Sequence, residues 1–438
     1  MERLSGNPYP LKRLLSDTPL PFLVEDEIAI ELTGTTLSSL QESGHLFIAD
    51  HSYQAKYPTV PGRFGGFCTA YFYIHPQSGD FLPLAIATNT GNNLIYTPLD
   101  SANDWLLAKM MFNGNDVFFS QMFHLVASHN VGEAVHQAAL RTLSDKHPIM
   151  VVLNRLMYQA YGVRLAGSQI LTNPGGNIDK IFYTNSTGAL AFVGEFWRNG
   201  GGAYRANYLN TDLTTRGLLA DSSLPQFKSF PFHDDASTIL ASQTAFFTAF
   251  VKAYYPTTAE IENDNELAAW LTEASSLVED FPTTVTAEQL VDVLAHFAYL
   301  TGVAHHALNT GNSVSTLGTL PFHPLALYAP IPTAKNISSI LPFLPVAEQA
   351  LLQIDVLARF NMPGLKEEFT LVGAFSDEKL LSVLKPEVAV AAGVFKEEMG
   401  AFSREIKGRC FGEDGLSLGM PFLFPDLDPG TVPFYFAI

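Results

Sequence analysis

From Asp104 onward apolar residues recur at helical spacing, and this restricts the chain to a mainly α fold. The spacing predicts helices over 105–121, 122–161, 236–255, 265–278, 287–309, 346–360 and 386–407. Before them, residues 44–87 alternate short apolar runs with Gly and Pro turns, which predicts a small antiparallel β element near the N-terminus. Residues 165–232 read as a looser region, and the glycine run at 199–202 as a mobile loop inside it. That run lacks the Gly-Lys-Ser/Thr ending of a phosphate cradle, so a nucleotide site is rejected. No repeat, low-complexity tract or long linker divides the chain. Residues 1–438 are therefore expected to form one domain, with 1–43 as a helical extension packed on it.

The chain is 47% hydrophobic, with 33 Phe and only 16% charged residues. Disordered chains are poor in such residues, and a core this apolar has surface to spare for an apolar ligand. A net charge of -18 without clustered Lys and Arg excludes nucleic acid as a partner. It also opposes a general attraction to anionic membranes. A patch of Leu11, Leu14 and Leu15 beside Lys12 and Arg13 is the candidate for transient membrane contact, with an ordinary surface helix as its plain alternative. Two cysteines, Cys68 and Cys410, make no disulfide scaffold. With no apolar signal core among residues 1–20, this indicates a cytoplasmic protein, at most peripheral to a membrane. No apolar run approaches the roughly 18 residues needed to span a bilayer.

Of the 12 histidines, His124 and His129 stand out, because they lie five apart in an apolar helical segment. Five residues of a regular α-helix rotate by about 140°. The two rings converge only if the helix widens to a π-type turn, a feature that often marks functional sites. A competing group, His129, Glu133 and His136, shares one helical face. The His-Glu-x-x-His hydrolase signature is absent, since Leu125 follows His124. His305 and Asn309, four apart, share a face without distortion, either as ligands or as a hydrogen-bonded core pair. Their neighbour His306 points elsewhere. His45, His51, His75, His233 and His323 sit in loop-like contexts, and His147 before Pro148 reads as a helix end.

Termini usually fray and are polar, yet residues 432–438 run Val-Pro-Phe-Tyr-Phe-Ala-Ile. If this tail threads into the core, the carboxylate of Ile438 goes with it and must be paired or metal-bound. Three imidazoles, an amide oxygen and a carboxylate make a nitrogen/oxygen set without thiolate. Such a set suits iron, with manganese as the second choice.

These residues resemble the lipoxygenase family. The stretch from Trp105 through His124-Leu-Val-Ala-Ser-His129, Glu133 and 141–149 is similar to the family's first ligand helix, and 304–309 to its second. Thr97-Pro98-Leu99-Asp100, 265–270 and 332–336 support the match, which runs from about Gly44 to Ile438. The resemblance implies a catalytic helical domain built around a long central helix. It implies a short, bacterial-type enzyme without a separate N-terminal β-barrel domain, and fusion to another enzyme domain stays open. The implied ligands are His124, His129, His305, Asn309 and Ile438 on non-haem iron. The implied reaction is removal of hydrogen from a polyunsaturated fatty acid of the linoleic or linolenic type by Fe(III)-OH. Dioxygen then adds to give a conjugated-diene hydroperoxide. Gly167 falls where the family separates product hand, glycine going with R products, although a turn glycine is the plain reading. Leu171 and Ile178 match positions flanking the reactive methylene. The family also carries an amide that supports the metal ligands near Gln121, but 116–124 is one residue shorter than usual, which shifts Gln121 relative to that position. An Arg for the substrate carboxylate finds no match in 314–329. Two rivals remain: a zinc hydrolase on His124, His129 and Glu133, and a non-catalytic fatty-acid carrier with a structural metal.

Overall fold

The computed structural model describes residues 2–219, 222–309, 324–358 and 364–437. Five strands, β1 (Leu11–Arg13), β2 (Leu46–Asp50), β3 (Thr69–Ile74), β4 (Phe81–Ala87) and β5 (Ile95–Tyr96), form an antiparallel meander in chain order. All six residues of β3 are buried. Alternation explains this: Tyr71 and Tyr73 face a small core under the helices Asp26–Thr33 and Leu37–Glu42, whereas Ala70, Phe72 and Ile74 face the main core. The pairing of β3 with β4 shifts register between Tyr71 and Phe72, opposite Pro83, which could not donate to a regular ladder.

The central helix starts at Ser101, whose side chain accepts from the Asp104 amide, and runs through Ala102–His124. It continues without a break as a π-helical turn, Leu125–Asn130, and as Val131–Thr142. A second composite helix repeats the design: Ala287–Tyr299, a π-helical turn at Leu300–Ala304, then His305–Asn309. The long helices Pro231–Tyr254 and Pro386–Lys407 pack on each other, and the first also packs on Ala287–Tyr299. Phe246 stacks on Phe375 at 3.9 Å in that layer.

Three expectations need correction. Residues 122–161 are not one helix: Pro148 opens a new one, capped by His147, because proline favours a first helical turn and blocks an interior. The region 165–232 contains the helices Ser186–Phe196 and Leu209–Thr215. The glycine run is the packed end of the first of these, with Gly200 at φ +82° and Gly202 buried against the Trp197 ring. Third, the N-terminal leucine patch does not exist as a surface. Leu11 and Leu14 are buried and only Leu15 is exposed. Arg13 is buried too, donating to the carbonyls of Gly44, Gly217 and Pro225. A strand that needs those partners cannot lend its face to a membrane. Among the described residues, no helix is long and apolar enough to cross a membrane.

Candidate metal centre

His124 ends the regular part of the central helix, and His129 lies within the π-helical turn that follows. The wider turn brings the two rings to one side, 5.4 Å apart, as their five-residue spacing requires. His305 comes in from the second composite helix, 5.4 Å from the His124 ring and 4.6 Å from that of His129. One ring nitrogen from each of the three lies within 4.8 Å of the other two. Nε2 of His305 is 2.9 Å from Nε2 of His129. Neighbouring ligands on an octahedral ion with bonds of about 2.1 Å stand about 3 Å apart, so this separation fits a shared metal.

All three histidines are buried. Burial, and then the neighbouring imidazoles, holds His124 and His305 well below the usual histidine range. Burial also lowers His129, against the pull of Glu133. The rings are therefore neutral, the form that binds a metal. Nδ1 of His305 finds no hydrogen-bond partner among the described residues. The two neutral imidazoles that face each other through Nε2 are what a shared metal would complete.

Asn309 stands one turn beyond His305 and lines the same cavity as His124 and His129. Gln121 also lines it and donates from Nε2 to the Asn309 carbonyl at 3.4 Å. Ile438 lies outside the described residues. The tail leading to it, 432–437, is buried throughout. Thr301 donates to the Phe434 carbonyl at 3.0 Å. His306, held near pKa 4 by burial, donates from Nε2 to the Tyr435 carbonyl at 3.1 Å. Phe436 stacks on His129 at 4.7 Å. Glycine at 132 makes this approach possible, since a Cβ there would stand 2.5 Å from the Phe436 ring.

Glu133 removes the hydrolase rival. Its carboxylate lies 3.8 Å from Nδ1 of His129, not Nε2, and Arg164 Nε donates to both its oxygens at 3.0 Å. Burial would raise Glu133, but His129 and Arg164 outweigh it and keep it ionised. It thus backs the ring rather than joining the cluster. His136 is turned to Tyr161 and Asn154, at 2.8 and 2.9 Å.

The cluster opens on an apolar cavity of about 1020 Å³, counting its open mouth. Leu171 and Ile178 line it, as does Gly167. Gly167 is helical, at φ −58°, so the turn reading fails, and among the described residues no atom beyond its own helix backbone and chain neighbours lies within 4 Å of where its Cβ would stand. Sequence reasoning missed the grip of Thr301 and His306 on the tail and the role of Arg164. His51 does sit in a loop, directly after β2, but sequence reasoning did not foresee that it is fully buried and pairs with Asp116 at 3.1 Å.

The lipoxygenase family model matches residues 21–358. A manganese lipoxygenase of Fusarium oxysporum is 47% identical over 445 residues, covering 100% of this chain and 73% of the relative. The solved manganese lipoxygenase of Gaeumannomyces graminis superposes with a TM-score of 0.96 at 48% identity, covering 99% of this chain and 78% of that one. A more distant lipoxygenase, solved in complex with arachidonate, shares the fold at a TM-score of 0.83 and 23% identity, covering 99% of this chain and 65% of its own. These relatives overturn the expectation of iron, since those 45–47% identical to this chain, and the solved structures 44 and 48% identical to it, are manganese lipoxygenases. The physical reason is that imidazole and amide donors accept either metal, so the ligand set alone could not choose. With a family model over most of its length and relatives of this similarity, the chain belongs to the lipoxygenase family.

Proposed function

We propose that this chain is a manganese lipoxygenase that adds dioxygen to polyunsaturated fatty acids of the linoleic and linolenic type. In this reading His124, His129, His305, Asn309 and the carboxylate of Ile438 hold the metal. The observation that carries it is the neutral imidazole cluster opening directly on a large apolar cavity. When bound, manganese supplies the one-electron couple for removing hydrogen from a bis-allylic carbon. The chain's own residues do the rest. Glu133 fixes the His129 ring through Nδ1, which leaves Nε2 for the metal. Thr301 and His306 hold the tail that carries Ile438. Leu171, Ile178 and their neighbours exclude water from a radical intermediate. A carrier with a purely structural metal has no need for that metal to face its ligand cavity, since structural sites are closed. The arachidonate complex of a relative with this fold is consistent with a fatty-acid ligand.

The unobstructed space at Gly167 supports R-configured products, because a methyl group there would stand in the cavity where oxygen arrives. The test is incubation with linoleic and α-linolenic acids under air, followed by conjugated-diene absorbance and chiral chromatography. One dominant R hydroperoxide is expected. Absence of diene from metal-replete protein would refute the reading, and a dominant S product would refute only the role of Gly167.

A further inference from the structure

The buried tail, 432–437, lies between two walls of different build. The inner wall is made by the two ligand helices, through Thr301, His306, Gly132 and Gly302. A Cβ on Gly302 would stand 2.7 Å from the Leu371 side chain and 3.6 Å from Phe434 Cα, so tail and cover press directly on that helix. The outer wall, 366–377, is a cover built from the short turns Glu367–Phe369 and Leu371–Gly373. It meets the tail where Thr370 bridges Pro433 and the Leu371 amide donates to the Val432 carbonyl at 2.8 Å.

Arg155, on the helix Pro148–Leu156, ties this cover down. Its Nε donates to the Ala374 carbonyl at 3.0 Å, and its Nη2 to those of Glu368 and Gly373 at 2.7 and 3.2 Å. The same guanidinium lies 4.0 Å from the centre of the Phe434 ring, so one side chain grips cover and tail together. Tyr158 repeats the grip: it stacks on Phe369 and meets Tyr435 edge-on at 5.1 Å. A hydrated divalent cation has a poor passage through the apolar cavity. Its walls would strip the ion of water, and the only full charge on its described lining is the cation of Arg164. The tail side is acidic instead, with Glu367, Glu368 and Asp377 on the cover. Burial lowers Arg155, while Asp377 and Glu368 support its charge.

We propose that the tail is the gate by which manganese enters and leaves, and that Arg155 is the positioning residue that keeps it shut. The inference rests on the function proposed above, in which Ile438 is a ligand, and adds how that ligand is held and released. His124, His129, His305 and Asn309 are fixed on helices, whereas the tail is held in by a cover that one arginine secures. A carboxylate carried on the tail is costly to bury without the metal and stabilising with it. By reciprocity, whatever holds the tail in strengthens metal binding, and bound metal holds the tail in by the same free energy.

The test uses two readouts that do not depend on turnover: release of manganese to excess chelator, and amide hydrogen exchange across 430–437 by mass spectrometry. In the wild type, stripping manganese is expected to speed exchange across 430–437 at least about tenfold and to leave Pro231–Tyr254 unchanged. In manganese-loaded Arg155→Gln, tail exchange and metal release should both quicken about tenfold, as loss of a hydrogen bond from a charged group implies. Phe434→Leu removes the stacking without touching the cover, and should shift both in the same direction by less. Tail exchange that is equal with and without manganese in the wild type would overturn the gate. So would release from Arg155→Gln at the wild-type rate, since the metal would then be leaving by the apolar cavity. Faster exchange in Pro231–Tyr254 as well would mean that Arg155 serves the whole fold, and would overturn its role as a clasp. Wild-type protein that takes up no manganese would instead overturn the function on which the inference rests.

Discussion

The central helix touches two buried histidine sites about two turns apart, and they differ in kind. At Asp116 the carboxylate meets His51 at 3.1 Å and Arg3, and Gln54 contacts His51. Every charge there has a protein partner. Burial would raise Asp116, but Arg3 and His51 outweigh it and hold the carboxyl below its usual range. At His124, His129 and His305, burial is as deep, but the only nearby carboxylate described backs one ring from behind. The difference teaches how to read a buried histidine: one that is satisfied by the chain belongs to the fold, and one aimed at other imidazoles belongs to a ligand.

The largest effect should come from His305→Ala. It removes one of three converging donors, so bound manganese and diene formation should both fall by more than about 100-fold. Helical circular dichroism should stay unchanged, and retention of stoichiometric metal would break the distinction between the sites. Asp116→Ala should do the opposite. Leaving Arg3 buried without its partner costs about 3–5 kcal/mol, read as a lower melting midpoint, with metal stoichiometry per folded chain unaltered. The sign of the pH dependence follows from the lowered carboxyl. Its contribution is complete above the unfolded value near 4 and is lost as pH falls through the folded value. The deficit of Asp116→Asn against wild type should therefore be full at pH 7 and shrink below about pH 4.

Glu133→Gln sharpens the contrast, since this carboxylate touches the metal site without joining it. Loss of such a supporting partner typically weakens metal binding about 10–100-fold, measured by competition with a chelator. An unchanged affinity would mean that Glu133 serves only Arg164. The smallest energetic effect belongs to Gly167→Ala. A helical position with open space should gain up to about 1 kcal/mol, while product hand shifts toward S by chiral chromatography.

Much of the site was legible in the sequence because its constraints are local. The five-residue spacing of His124 and His129 demands a widened turn, and Leu125–Asn130 supplies one. The apolar tail demanded burial, and it is buried through Ala437. What stayed hidden depends on distant pairing. His51 finds Asp116 across 65 residues of chain, so its loop position was legible but its burial and partner were not. Leu11 and Leu14 resembled a surface patch because their burial is decided by β2, which pairs Leu11 with Ala49. The choice of metal was hidden for another reason: it does not reside in the ligand types at all.

The most direct test of the account is metal analysis of protein produced with iron and manganese both in supply, paired with activity after stripping and reloading with each metal. The account predicts close to one manganese per chain and diene formation restored by manganese, with His305→Ala retaining neither. Stoichiometric iron with activity restored by iron alone, or full activity without any metal, would contradict it.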